Sequence, residues 1–143
     1  MILQAKDIYL NKSFSNKSEA IEYVGNLMIE KGWINESYKK GMFLRDQKVS
    51  VAIGNYLAIP HCEETENINE EGIIFLKLKD ELQWDHQPIR FVIGLALKGN
   101  HQIDTLQDIA FLFSDEDTVL DFYQKCSTVS EIIAYLANEE WAN

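Results

Sequence analysis

Phe91-Val-Ile-Gly-Leu-Ala-Leu97 is the longest fully apolar run in the chain. An unbroken run of strand length suits a central sheet strand buried on both faces, and it is far too short to span a membrane. Gly99-Asn100 then turns the chain into a helix with Ile103, Leu106, Ile109, Ala110 and Phe113 on one side. Upstream, Gly72-Ile-Ile-Phe-Leu-Lys-Leu78 is a second apolar run of strand length, and Leu57-Ala-Ile59 is a short one that stops at Pro60. Two helices precede these strands. Asn16-Lys-Ser-Glu19 reads as an N-cap with an acid at the third position, followed by Ala20, Ile21, Val24, Leu27 and Met28 at helical spacing and a stop at Gly32. A second helix starts at Asn35 and carries Tyr38, Met42 and Arg45 along one stripe, so Arg45 points along the packed side of its helix. Two more follow. Ser114-Asp-Glu-Asp117 opens one with Val119, Leu120 and Tyr123 apolar, and the capping box Thr128-Val-Ser-Glu131 opens the other, before Ile132, Ile133, Tyr135 and Leu136. This alternation argues for an α/β architecture, with helices covering a mixed sheet.

The 143 residues fit one domain, 1–143, with no repeat, low-complexity tract or Pro/Gly-rich linker. Asp and Glu number 23 against 13 Lys and Arg, giving a formal net charge of −10. Such a chain is a poor nucleic-acid binder, because that affinity comes from neutralising phosphates with cations. Anionic membrane surfaces are disfavoured for the same reason. The two cysteines, Cys62 and Cys126, make neither a disulfide framework nor a paired zinc motif. Met1-Ile-Leu-Gln-Ala-Lys-Asp7 has no apolar stretch of signal-peptide length. The expected address is the cytoplasm, without membrane insertion. The start at Met1 and the end after a helix favour a free-standing protein.

Three histidines are candidates for chemistry. His61 sits where Leu57-Ala-Ile-Pro60 ends, and His101 where the Phe91–Leu97 strand gives way to a helix. In open α/β sheets ligands gather at the carboxyl ends of strands, so the two could meet in space. His86, in Trp84-Asp-His-Gln-Pro88, reads as a loop residue between strands. An imidazole can serve as base, metal ligand or nucleophile. Attack on phosphorus needs one free ring nitrogen and nearby positive charge on the phosphoryl oxygens. Arg45 can supply that charge with bidentate geometry, and the start of a helix at His101 favours an anion. Each residue also has an ordinary alternative. A lone histidine before a helix is commonly a cap, an arginine on a helix is commonly solvated, and Glu63, Glu64 and Glu66 make an ordinary acidic face. Pro60-His61 stands out because proline fixes the backbone just ahead of the imidazole.

Gly54-Asn-Tyr-Leu-Ala-Ile-Pro-His61 resembles the Gly-x-x-x-Ala-Ile/Val-Pro-His motif of the mannitol/fructose-type enzyme IIA of the bacterial sugar phosphotransferase system. The likeness extends over most of the chain. Ala20-Ile21 resembles the family's Glu-Ala-Ile segment, and Phe43-Leu-Arg-Asp46 its helix-ending Met/Leu-x-x-Arg-Glu/Asp stretch. Phe91–Leu97 through Gly99-Asn-His101 resembles the family strand and the Gly-x-His after it, and Phe113-Ser-Asp-Glu-Asp117 the start of the next helix. Trp84-Asp85 and the setting of His101 lean toward the mannitol branch.

The resemblance implies a mixed sheet of about five strands flanked by helices on both sides. It implies that His61 accepts a phosphoryl group from the phosphocarrier HPr and passes it to a cysteine of a IIB domain, for coupled uptake and phosphorylation of a sugar or polyol, with mannitol the leading substrate. His101 then supports His61 and the phosphate charge, and Arg45 pairs with the phosphoryl oxygens. No metal or organic cofactor is required. Two departures stand out. Cys62 replaces the usual small Gly or Ala after the histidine, and the acidic run Glu63-Glu64-Thr-Glu66 follows it. Carboxylates near a phosphohistidine make it a better donor unless they point away. The charge of −10 suits docking to a partner with a basic patch. Two other readings stay open. One is a regulatory IIA-like module whose phosphorylation state is read by a transcription or metabolic partner. The other is a metal-dependent hydrolase using His61, Cys62, Glu63, Glu64 or His101.

Overall fold

The sheet is built around a long antiparallel hairpin, β4 (Gly72–Trp84) and β5 (Gln87–Ala96), in a computed structural model that describes residues 3–138. Trp84 pairs with Gln87 across a two-residue turn of Asp85 and His86, both with positive φ (51° and 69°). That is the twist a tight hairpin needs, and Asp and His are among the residue types that tolerate it. β1 (Ile8–Lys12) runs parallel to β4 on one side. On the other side β3 (Leu57–Ala58) runs parallel to β5, and β2 (Ala52–Gly54) pairs antiparallel with β3. The order β1-β4-β5-β3-β2 is a five-stranded mixed sheet.

Side-chain alternation sends successive strand residues to opposite faces. Ile74, Leu76, Leu78, Val92 and Ala96 meet α1 (Lys17–Glu30) and α2 (Glu36–Lys48) through Ala20, Ile21, Val24, Met28, Tyr38 and Met42. Ile73, Phe75, Phe91, Ile93 and Leu95 meet α3 (Asn100–Leu112), α4 (Glu116–Lys125) and α5 (Val129–Asn138). Helices therefore cover both faces, as the α/β reading expected. Phe122 of α4 stacks on Phe91 (5.1 Å between ring centres) and on Tyr135 (4.2 Å), locking the second layer. No helix among the described residues is long and apolar enough to cross a membrane.

The helix starts lie where their caps predict. Asn16 and Asn35 accept from Glu19 and Tyr38 amides at 3.0 Å each. Thr128 Oγ1 accepts from the Glu131 amide while Glu131 Oε1 accepts from the Thr128 amide, both at 3.1 Å.

Three expectations need correction. β4 runs on to Trp84, because Leu82 and Trp84 stay buried beyond the exposed Lys79–Glu81 stretch that interrupts the apolar run. β1 and β2 were not expected: both are short edge strands, β1 of mixed polarity and β2 of three residues. In α3 the inward line is Gln102, Thr105, Ile109 and Phe113, so Ile103 is 53% exposed and Ala110 is also exposed.

Candidate active site

Pro60 carries the chain off the end of β3 while the backbone stays tied to the sheet. The Ile59 amide donates to the Val51 carbonyl at 2.9 Å, and the Leu95 amide to the Pro60 carbonyl at 3.0 Å. His61 follows at once and is only 7% exposed. Its Nδ1 lies 2.7 Å from the Ile59 carbonyl. A carbonyl can only accept, so Nδ1 carries the proton and Nε2 keeps its lone pair. Burial lowers the His61 pKa below its ordinary value, the Ile59 bond opposes that, Arg45 adds to it and Glu63 opposes it. The net result is a neutral imidazole at pH 7, with a nucleophilic Nε2.

The residue after the histidine is pinned just as firmly. The Cys62 amide donates to the Tyr38 hydroxyl at 3.4 Å, and that hydroxyl donates to the Leu95 carbonyl at 2.7 Å. Gln102 Nε2 donates to the Cys62 carbonyl at 2.9 Å. Helix α2, strand β5 and helix α3 thus converge on Pro60 and Cys62, the two residues that flank His61. Burial pushes the Tyr38 phenol well above its ordinary pKa, so it stays a neutral donor. Burial likewise raises the Cys62 thiol, with Glu64, Glu63 and Glu66 adding to that, so it is a poor thiolate.

Arg45 approaches from the last turn of α2. Its side chain is 22% exposed, Nη1 donates to the Val49 carbonyl at 2.6 Å, and Nε lies 3.5 Å from Glu63 Oε1. The next residue fixes this helix end. Buried Asp46 accepts from the Val51 amide at 3.1 Å and from Trp84 Nε1 at 3.0 Å, and pairs with Lys17 at 2.7 Å. An open groove of about 430 Å³ is lined by Lys40, Arg45, Lys48, Cys62, Glu63 and Glu64.

His101 stands apart from this cluster. It sits at the start of α3, after Gly99 at φ 50°, with its side chain 66% exposed. Its Nδ1 is 2.9 Å from Glu71 Oε2, which also accepts from the Lys98 amide at 2.8 Å. Among the described residues, no hydrogen bond or ion pair joins His101 to His61 or Arg45. Arg45 bears on His61 through its charge, with no hydrogen bond between the two, while Glu71 holds His101 on another loop. His86 lies at the hairpin turn. No group of three or more His, Cys, Asp or Glu side chains among the described residues could hold a metal ion.

Sequence reasoning passed over Tyr38 as a functional residue, and missed Gln102 and Glu71. Tyr38 read as core, and Gln102 gave no signal beyond following His101.

Residues 1–139 match the family model described as "Phosphoenolpyruvate-dependent sugar phosphotransferase system, EIIA 2". The chain belongs to this family. As an EIIA protein it is a phosphoryl-transfer component of a sugar phosphotransferase system. It is 41% identical over 140 residues to the mannitol-specific phosphotransferase enzyme IIA component of Mycoplasma pneumoniae, covering 96% of this chain and 98% of that one. It is 37% identical over 137 residues to the protein of the same name from Halalkalibacterium halodurans, covering 94% of each. The EIIA fold is shared with the crystal structure of IIA mannitol from Escherichia coli, at a TM-score of 0.84, 23% identity and coverage of 95% of this chain and 99% of that one. It is shared equally, at a TM-score of 0.84, with a complex of enzyme IIA and phosphorylated enzyme IIB of the mannitol system from the same organism; that match has 23% identity and covers 95% of this chain and 97% of that one.

Proposed function

We propose that the chain works through a phosphohistidine at His61. The Nε2 lone pair attacks the phosphorus of an incoming donor, a bond from Nε2 to phosphorus forms, and the donor's leaving atom departs with its electron pair. The Nδ1–H···O=C bond to Ile59 carries this reading, because it leaves Nε2 as the one free nitrogen. Arg45 then meets the phosphoryl oxygens, stabilising charge where it develops. His101 is the second histidine of the site; with Nδ1 held by Glu71, its Nε2 is the nitrogen available to phosphate or partner.

The donor in this proposal is HPr and the acceptor a cysteine of a IIB domain. The IIA–IIB complex with the same fold supports the second step. The names of the relatives at 37–41% identity support mannitol as the polyol served, and favour transport over a purely regulatory role. The whole chain, 1–143, acts as one EIIA domain in the cytoplasm.

The test is to incubate the chain with phosphoenolpyruvate, enzyme I and HPr and to weigh it intact. Wild type gains one phosphate, and His61→Ala gains none. Unchanged uptake by His61→Ala would overturn the assignment. Onward transfer to a mannitol IIB domain separates transport from a regulatory module, which would keep its phosphate.

A further inference from the structure

Glu63 lies two residues beyond His61, and its carboxylate is already engaged. Oε1 is 3.5 Å from Arg45 Nε and 3.3 Å from Lys48 Nζ, and Oε2 is 3.5 Å from Lys48 Nζ. Arg45 is otherwise held by its Nη1 bond to the Val49 carbonyl. The unphosphorylated site thus has an anion on its own cations. Glu63 also acts on His61 itself: after burial, the Ile59 bond and Arg45, it is the remaining charge that bears on the imidazole.

We propose that Glu63 is an internal competitor for Arg45 and Lys48, standing where a phosphoryl group on His61 would find its counter-charge, and so raises the transfer potential of the phospho-form. This rests on the phosphoryl-acceptor reading of His61. A phosphoryl group brings a charge of about −2 at neutral pH. Either Glu63 keeps the cations, and the phosphate is poorly neutralised, or Glu63 is driven into solvent and loses its pairs. Both outcomes destabilise the phospho-form relative to a chain with a neutral residue at 63, and leave the unphosphorylated form favoured. Onward transfer is helped for the same reason: when the Nε2–P bond breaks, the imidazole nitrogen keeps the electron pair, and Glu63 returns to Arg45 and Lys48. The step needs no reactant beyond the donor and acceptor already named. Glu66, on the same loop, is exposed and makes no ion pair among the described residues, so it is the natural control.

The experiment is an equilibrium between this chain and phosphorylated HPr, read as the phosphorylated fraction of each protein by intact mass. Glu63→Gln is expected to shift the equilibrium toward the phosphorylated chain by about fivefold, the scale of one partly exposed ion pair. The shift should shrink as salt rises, because these groups are near solvent. Glu66→Gln should move the equilibrium by less than about twofold. If wild type takes up phosphate but Glu63→Gln leaves the equilibrium unmoved, or matches Glu66→Gln, the competitor role is overturned alone. If wild type takes up no phosphate, the phosphoryl-acceptor reading falls and the competitor role falls with it.

Discussion

The Cys62 sulfur lies directly over Gly41 of α2, so close that a Cβ on Gly41 would overlap it. Gly41 is what lets the active loop press against the helix that carries Arg45. Gly41→Ala should therefore destabilise the fold by about 1–3 kcal/mol through overpacking. Cys62→Ala in the same chain should recover most of that loss, because only the Cys62 Cβ then faces the new methyl, at 3.4 Å. Urea midpoints of the two single variants and the double variant give the coupling. Simple additivity would show that the thiol and the glycine are not matched.

Asp46 should prove the anchor of Arg45. It satisfies the Val51 amide and the Trp84 indole and pairs with Lys17, so one carboxylate ties α2 to α1, to the β4–β5 hairpin and to the segment leading into β2. Asp46→Ala leaves the Val51 amide and the Trp84 indole without their acceptor, and Lys17 with Asp85 alone at 2.8 Å. A loss of about 2–4 kcal/mol in unfolding free energy is expected. Phosphate uptake should fall even at temperatures where the variant stays folded, since Arg45 loses its footing. Unaltered stability in Asp46→Ala would remove this anchor from the description.

His61 should titrate below its ordinary value near 6.5, because burial and then Arg45 disfavour the imidazolium. The sign for stability follows. A depressed folded-state pKa contributes stability above the unfolded value, near 6.5, and that contribution is lost as pH falls through the folded pKa. Uptake of phosphate should fall in the same acidic window, as Nε2 becomes protonated. Arg45→Gln should raise the His61 midpoint, and Glu63→Gln should lower it. Histidine ring resonances followed by NMR across pH check all three directions.

Tyr38→Phe should separate positioning from packing. The ring stays, but the Leu95 carbonyl and the Cys62 amide lose their shared hydroxyl. About 1–3 kcal/mol of stability should be lost. The rate of phosphate uptake should fall while the His61 requirement persists.

Much of this was legible from residues. The caps at Asn16, Asn35, Thr128 and Glu131 act locally, so spacing alone locates those helix starts. Burial on both faces makes the Phe91–Leu97 stretch uniformly apolar and therefore visible. Edge strands β1 and β2 have one solvated side and few residues, so no period stands out. Gln102 was hidden for a different reason. Its burial is offset by a bond to the Cys62 carbonyl, a partner 40 residues away, while its neighbour Ile103 faces solvent. Arg45 is placed by the end of α2 and His61 by the chain leaving β3, and only the motif pointed to them as one site, since the alternation of elements carries no such information.

The nitrogen that takes the phosphate decides the proposed mechanism. Proton–nitrogen correlation spectra of the phosphorylated chain, labelled with nitrogen isotope in its histidines, report both ring positions of His61 at once. The Ile59 hydrogen bond requires phosphorus on Nε2 and a proton on Nδ1. Phosphorus on Nδ1, or on a residue other than His61, would contradict it.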